Sequence, residues 1–143
     1  TKDNKGDYKK LLTDLCIEKG IAEVVHFRPF MKDTRTFFSA IDLFVMATNS
    51  ETFGMVTTEA MLSNVPVLGS NSGGTPEILE NGKVGYLFDP KSETSLLQKL
   101  IEILKNPEQS HTIIELAYKS ASQRFSHLHA TKLYLDLMDD LSE

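Results

Sequence analysis

The sequence predicts an α/β fold, a Rossmann-like parallel sheet with helices on both faces. Three observations carry that prediction. Four runs are short and apolar almost throughout, at 24–27, 43–47, 65–69 and 85–88, and uniform rather than alternating hydrophobicity marks strands covered on both faces. The segments between and after them place apolar residues at helical spacing. The two patterns alternate along the chain, as in parallel sheets built from strand–helix–strand units. In such sheets ligands bind at the carboxyl ends of the strands. The loops at 28–30, 48–54 and 70–75, each following a run, are therefore expected on one edge.

The elements follow in order. Polar 1–7 reads as a loop or frayed end. Leu11, Leu12, Leu15 and Cys16 mark a helix over 8–19, which Gly20 stops. The β-branched run 24–27 is a strand limited by Pro29. Asp33 or Thr34 caps a helix carrying Phe37, Phe38, Ala40 and Ile41. Strand 43–47 and helix 55–63 come next, with Asn64 as the C-terminal residue of the helix. Pro66 lacks an N–H and belongs at the beginning of the strand 65–69. A glycine-rich loop at 71–76 opens a short helix over 76–79. A turn at Asn81-Gly82 and a strand at 85–88 lead to the helix of Leu96, Leu97, Leu100, Ile101 and Leu104, started by Ser92 and ended before Pro107. Helices at about 108–125 and 127–141 complete the chain.

A chain of 143 residues fits one domain, and it can bury an ordinary core. The 41% hydrophobic and 24% charged fractions are those of a globular protein. A net charge of −5 argues against general affinity for nucleic acid or anionic membrane. Cys16, the one cysteine, permits no intrachain disulfide and fits a reducing, cytoplasmic compartment; its place in the leucine pattern makes it a helix core residue. No run approaches the length of a membrane span, and no signal peptide is visible. The polar start without Met suggests a piece of a longer protein. His26, His111, His127 and His129 lack metal-ligand spacing, with His26 expected in strand packing and the others on helices or the surface, so no metal or cofactor is expected.

The most informative motif is Glu51-Thr52-Phe53-Gly54-Met55-Val56-Thr57-Thr58-Glu59-Ala60. A strand, a glycine turn and a helix start together make an anion site, because unpaired backbone N–H groups and the helix dipole converge there. One Glu before the helix and one inside it reach hydroxyls on either side of a bound phosphate. Phosphate between two polyols is the outline of a sugar nucleotide.

These residues resemble the C-terminal nucleotide-binding lobe of GT-B glycosyltransferases of the group-1, or GT4, family of retaining enzymes. That family carries a Glu-x7-Glu motif, and 51–60 matches it. Phe27, the stretch 40–45, Pro66-Val67, Gly73-Gly74 with Glu77, Gly82, Gly85, Asp89-Pro90 and Phe125-Ser126 follow the same pattern in order. The likeness covers about 5–140. Thr52 and Asn64 stand where glycine is common, and the basic pair that holds the diphosphate belongs upstream of Thr1.

The resemblance implies that 1–143 is a single donor-nucleotide-binding lobe of a longer two-lobe enzyme, its last helix packing back on it or crossing to the other lobe. The parent would move a sugar from a nucleotide-diphosphate sugar to a saccharide or lipid-linked acceptor with retention. The fragment alone would be inactive. Glu59 would bind the ribose diol and Glu51, the catalytic-site carboxylate, the hydroxyls of the transferred sugar. Phe53, Gly54, Met55 and Val56 would offer N–H groups to the diphosphate, the side chains of Met55 and Val56 serving packing. Arg28, Pro29 and Phe30 would border the nucleobase, with Arg28 either pairing with it or lying on the surface. Gly73 and Gly74 either make a tight turn or touch the donor. The acceptor would bind through the other lobe, and the resemblance allows peripheral association of the parent with a membrane. Rival readings are a related sugar-nucleotide epimerase or phosphorylase lobe, or a degenerate interaction module. A receiver-like domain fits poorly, since Asp42 precedes its strand.

Overall fold

The structure, a computed structural model, describes residues 4–49 and 51–141, and the side chains of all of these except 4–6, 127 and 128. Ser50 and the side chain of His127 lie outside the described residues. The chain divides into two compact units, Thr1–Lys32 and Asp33–Glu143.

The first unit holds one helix, α1 (Asn4–Glu18). It begins earlier than the polar run suggests, running through Gly6, and Asp7 falls in the first turn, where the dipole favours a carboxylate. Gly20, at φ +68°, ends it in a Schellman pair, with Gly20 N–H on Ile17 O (3.0 Å) and Ile21 N–H on Cys16 O (2.9 Å). Cys16 is half-buried on this helix. The expected strand at 24–27 is not formed. Val24 N–H closes a turn on Ile21 O (3.1 Å), and the Val24 side chain is 75% exposed. A strand needs a ladder partner, and the described part of this unit offers a helix and no second extended segment. His26 is accordingly exposed rather than packed.

The second unit is the parallel α/β fold. Its elements are α2 (Thr34–Phe38), β1 (Phe44–Met46), α3 (Met55–Leu62), β2 (Val67–Ser70), α4 (Thr75–Ile78), a 3₁₀ turn (Glu80–Gly82), β3 (Tyr86–Phe88), α5 (Glu93–Lys105), α6 (Pro107–Arg124) and α7 (His127–Asp140). The three strands pair in parallel in the order β1-β2-β3, with Phe44 beside Val67 and Leu68 beside Tyr86. Pro66 precedes β2, as its missing N–H requires, yet its carbonyl still accepts from Phe44 N–H at 3.0 Å.

Alternation along the strands divides the core. On one face Val67 meets Phe38, Ala60, Met61, Leu79, Ala117 and Ala121, with Phe44 and Leu87 beside them. On the other, Leu68 meets Tyr86, Phe88 and Ile103, backed by Leu96, Leu100 and Ile113. Helices α2, α3 and α6 thus cover one face, and α5 with the start of α6 covers the other. Asp33 caps α2 by accepting from Arg35 N–H (3.1 Å) and the Thr36 hydroxyl (2.7 Å). The helix stops at Phe38, three residues before Ile41, but Phe37 and Ile41 still pack on the core. Asn64, at φ +58°, closes α3 in the left-handed conformation expected of it. Helix α7 leaves Leu133, Leu137 and Leu141 more than half exposed. No helix among the described residues is long and apolar enough to cross a membrane.

Candidate functional site

The loops after β1 and β2 lie together at the carboxyl edge of the sheet. Two serines stitch them. Ser70 Oγ donates to Thr48 O at 2.6 Å, and Ser72 Oγ donates to Asn49 O at 3.1 Å. The glycine loop then backs onto Glu51, whose carbonyl accepts from Gly74 N–H at 2.7 Å. Gly73 stands at φ +57°, and a Cβ there would lie 2.6 Å from Glu51 O and 2.7 Å from Glu51 N. Of the two expectations for Gly73 and Gly74, the tight turn is the one visible here: they make room for the backbone of the Glu51 loop.

Gly54 forms the entry to α3. It too is left-handed, at φ +57°, and a Cβ would run into Ile78 Cδ1 of α4. The turn folds the Glu51 side chain back over the helix start, where Glu51 Oε1 accepts from Thr52 N–H and Gly54 N–H, both at 2.9 Å. The bond from Gly54, then that from Thr52, hold its pKa below the ordinary glutamate value, with a smaller contribution from Phe53 N–H. The sequence reading put Gly54 N–H in the diphosphate site; here Glu51 itself occupies that donor. Met55 N–H and Val56 N–H, in the first turn of α3, have no acceptor among the described residues.

Glu59 sits half-buried one turn further along α3, with no ion pair or hydrogen bond to its carboxylate among the described residues. Two grooves share it. One, of about 540 Å³, runs toward Leu62, Ser63 and the α2 residues Thr34, Arg35 and Ser39. The other, of about 450 Å³, runs between Phe53, Met55 and the α6–α7 corner at Arg124 and Phe125. Phe53 is 81% and Met55 69% exposed, and Val56 is exposed as well. The Met55 and Val56 side chains do not pack on this chain's core, which begins at Thr57 and Ala60.

Arg28, Pro29 and Phe30 belong to the first unit, where they follow a turn and an irregular segment rather than a strand, and Phe30 is 90% exposed. Sequence reasoning passed over Arg35 and Arg124. Arg124 donates to Ile78 O (3.1 Å) and Glu77 O (3.0 Å) and pairs with Glu80 at 3.4 Å, tying α6 to α4 behind the Glu51 loop. The available signal was its position beside Phe125-Ser126 at a helix junction. Nothing local marks Arg35, because its proximity to Glu59 arises from the packing of α2 beside α3. Among the described residues no group of three or more His, Cys, Asp or Glu side chains could hold a metal ion.

Known proteins match this arrangement closely. The chain is 30% identical over 122 residues to N-acetyl-alpha-D-glucosaminyl L-malate synthase of Bacillus anthracis, covering 84% of this chain and 32% of that protein. It is 26% identical over 136 residues to the lipopolysaccharide core biosynthesis glycosyltransferase LpsE of Rhizobium meliloti, covering 95% of this chain and 39% of that one. The chain thus spans about a third of the length of these relatives. Among solved structures, Anabaena Alr3699/HepE in complex with UDP superposes with a TM-score of 0.89 at 28% identity, over 96% of this chain and 38% of that one. The C-terminal domain of the group 1 family protein LpcC from Francisella tularensis superposes with a TM-score of 0.76 at 26% identity, over 87% of this chain and 66% of that one. Residues 5–120 match the family Glycosyl transferases group 1, and the chain belongs to that family.

Proposed function

We propose that this chain is the donor-binding lobe of a retaining GT4-type glycosyltransferase, a single lobe of a longer two-lobe enzyme. The parent transfers a sugar from a nucleotide-diphosphate sugar to a saccharide or lipid-linked acceptor held by the other lobe. The observation that carries this reading is the pair of carboxylates bracketing two unpaired N–H groups at the start of α3. Glu59, without a partner among the described residues, accepts two hydrogen bonds from the ribose diol. Met55 and Val56 N–H face the diphosphate and stabilise the charge that develops as it leaves. Glu51 is anchored through Oε1, which leaves Oε2 to accept from hydroxyls of the transferred sugar. Phe53, Gly54, Gly73 and Gly74 shape that turn. The complexes of the Anabaena protein with UDP and UDP-glucose support such a donor. The parent works in the cytoplasm, peripherally at a membrane where its acceptor is lipid-linked.

The test is a titration of the 143-residue chain with UDP and UDP-glucose, followed by amide chemical shifts. Saturable shifts at 51–59 are expected. Glu59→Ala should weaken both ligands about ten-fold, the loss of a charge-assisted pair of hydrogen bonds. Glu51→Gln keeps an oxygen for Gly54 N–H but turns a donor outward, so it should abolish any preference for UDP-glucose over UDP. A folded sample with no saturable shifts at 51–59, or Glu59→Ala binding unchanged, would refute the proposal.

A further inference from the structure

We propose that Arg35 selects the nucleobase of the donor by reading the acceptor atoms of a keto base, uracil or guanine. The inference rests on the donor-lobe reading above and extends it to a residue that reading does not use. The direction of a bound nucleotide follows from α3. Its phosphates lie at the Met55 and Val56 N–H groups, in the first turn, and its ribose at Glu59. The base must then lie further along the helix or to one side.

The two grooves that share Glu59 differ in this respect. Both touch Leu62, but the one bordered by Phe53 and Met55 also reaches back to the phosphate end. Its cation, Arg124, already donates through both terminal nitrogens to the Glu77 and Ile78 carbonyls. The other groove leaves the first turn behind. Glu59, Leu62 and Ser63, at i, i+3 and i+4, share one face of α3, and they carry the groove about 6 Å along the axis. Across it stand Thr34, Arg35 and Ser39 of the α2 segment. Its volume, about 540 Å³, suits a base and part of a ribose.

Arg35 is the cation of that groove, and its guanidinium has no hydrogen-bond or ion-pair partner among the described residues. The neighbouring carboxylate, Asp33, attracts Arg35 through charge alone, its oxygens being hydrogen-bonded to Arg35 N–H and the Thr36 hydroxyl in capping α2. A guanidinium offers five donors and no acceptor. It pairs with O6 and N7 of guanine or O4 of uracil, whereas at the same edge position adenine and cytosine carry an amino group, a donor that repels it; their other acceptors, adenine N7 and cytosine O2 and N3, keep the discrimination modest.

The test is a titration of the whole 143-residue chain with UDP, GDP, ADP and CDP, reading affinity from the amides of 55–59. UDP and GDP should bind about five-fold or more tightly than ADP and CDP, the low end for a bidentate contact because Arg35 is exposed. Arg35→Ala should level the four affinities while the shifts at 55–59 persist. Arg35→Gln, whose amide carries both a donor and an acceptor, should move the preference toward ADP. Equal binding of all four by the unaltered chain, or a ratio that survives Arg35→Ala, overturns the role of Arg35 and leaves the donor-lobe reading standing. Absence of saturable shifts with any nucleotide overturns both.

Discussion

Replacing Gly73 by Ala tests whether the glycine loop holds the Glu51 turn. The residue is left-handed at φ +57°, and an L side chain there costs about 1–2 kcal/mol. The added Cβ would stand 2.6 Å from Glu51 O and 2.7 Å from Glu51 N. Both are backbone atoms, so no rotamer change relieves the contact and one loop must move. Movement breaks the bond from Gly74 N–H to Glu51 O (2.7 Å), about 1 kcal/mol. Alanine restricts the unfolded chain and returns about 0.4–1 kcal/mol. The net loss is about 2 kcal/mol. With a urea m-value of about 2 kcal/mol/M, the unfolding midpoint should fall by about 1 M. Gly73→Asn separates the two causes. Asparagine tolerates the left-handed conformation but carries the same Cβ, so it should recover little stability. The Thr52 and Gly54 amide resonances should also shift, since their N–H groups depend on the position of the Glu51 carboxylate. A midpoint lowered by less than 0.3 M with those two resonances unmoved would refute the reasoning.

Two further outcomes follow from the same geometry. The Glu51 carboxyl, followed through its side-chain carbon resonance, should titrate below the ordinary glutamate value of 4.5; because the folded pKa is the lower one, its stabilisation is present above that value and fades as pH falls through the folded pKa, and a midpoint at or above 4.5 would contradict the two N–H bonds. Tyr86→Phe removes the buried bond between Tyr86 Oη and Ser110 Oγ (3.0 Å) but leaves Ser110 Oγ its bond to Asn106 O (3.3 Å), so urea unfolding should show a loss of about 1 kcal/mol rather than the larger penalty of an orphaned hydroxyl.

Particular residues show why part of this molecule was legible in its sequence. The strands β1, β2 and β3 announce themselves because each is apolar on both faces, and the caps at Asp33 and Ser92 are local, decided by a side chain and an N–H two or three residues on. The run at 24–27 has the same composition as a strand and forms none, because composition states a preference while a ladder requires a partner, and the partner is not encoded in those four residues. The site divides in the same way. Glu51, Gly54 and Glu59 are readable because the turn that gathers them is one contiguous segment. What Glu51 does there was less readable. The reading anticipated a carboxylate directed at a ligand, and the structure folds one of its oxygens onto its own helix start. Local sequence sets both options at once, since the N–H groups that suit an external anion suit the nearest internal one equally well. In the function proposed above, Glu51 serves a donor only through the oxygen it leaves free, and the Glu51→Gln comparison of UDP with UDP-glucose addresses that oxygen alone. Local reasoning does not reach Arg35, nor the reason why Gly73, read as a turn glycine, must be glycine. The first stands by Glu59 because Phe38 packs α2 against the core beneath α3, and the second is required because the Glu51 backbone, twenty-two residues earlier in the sequence, passes too close for any side chain.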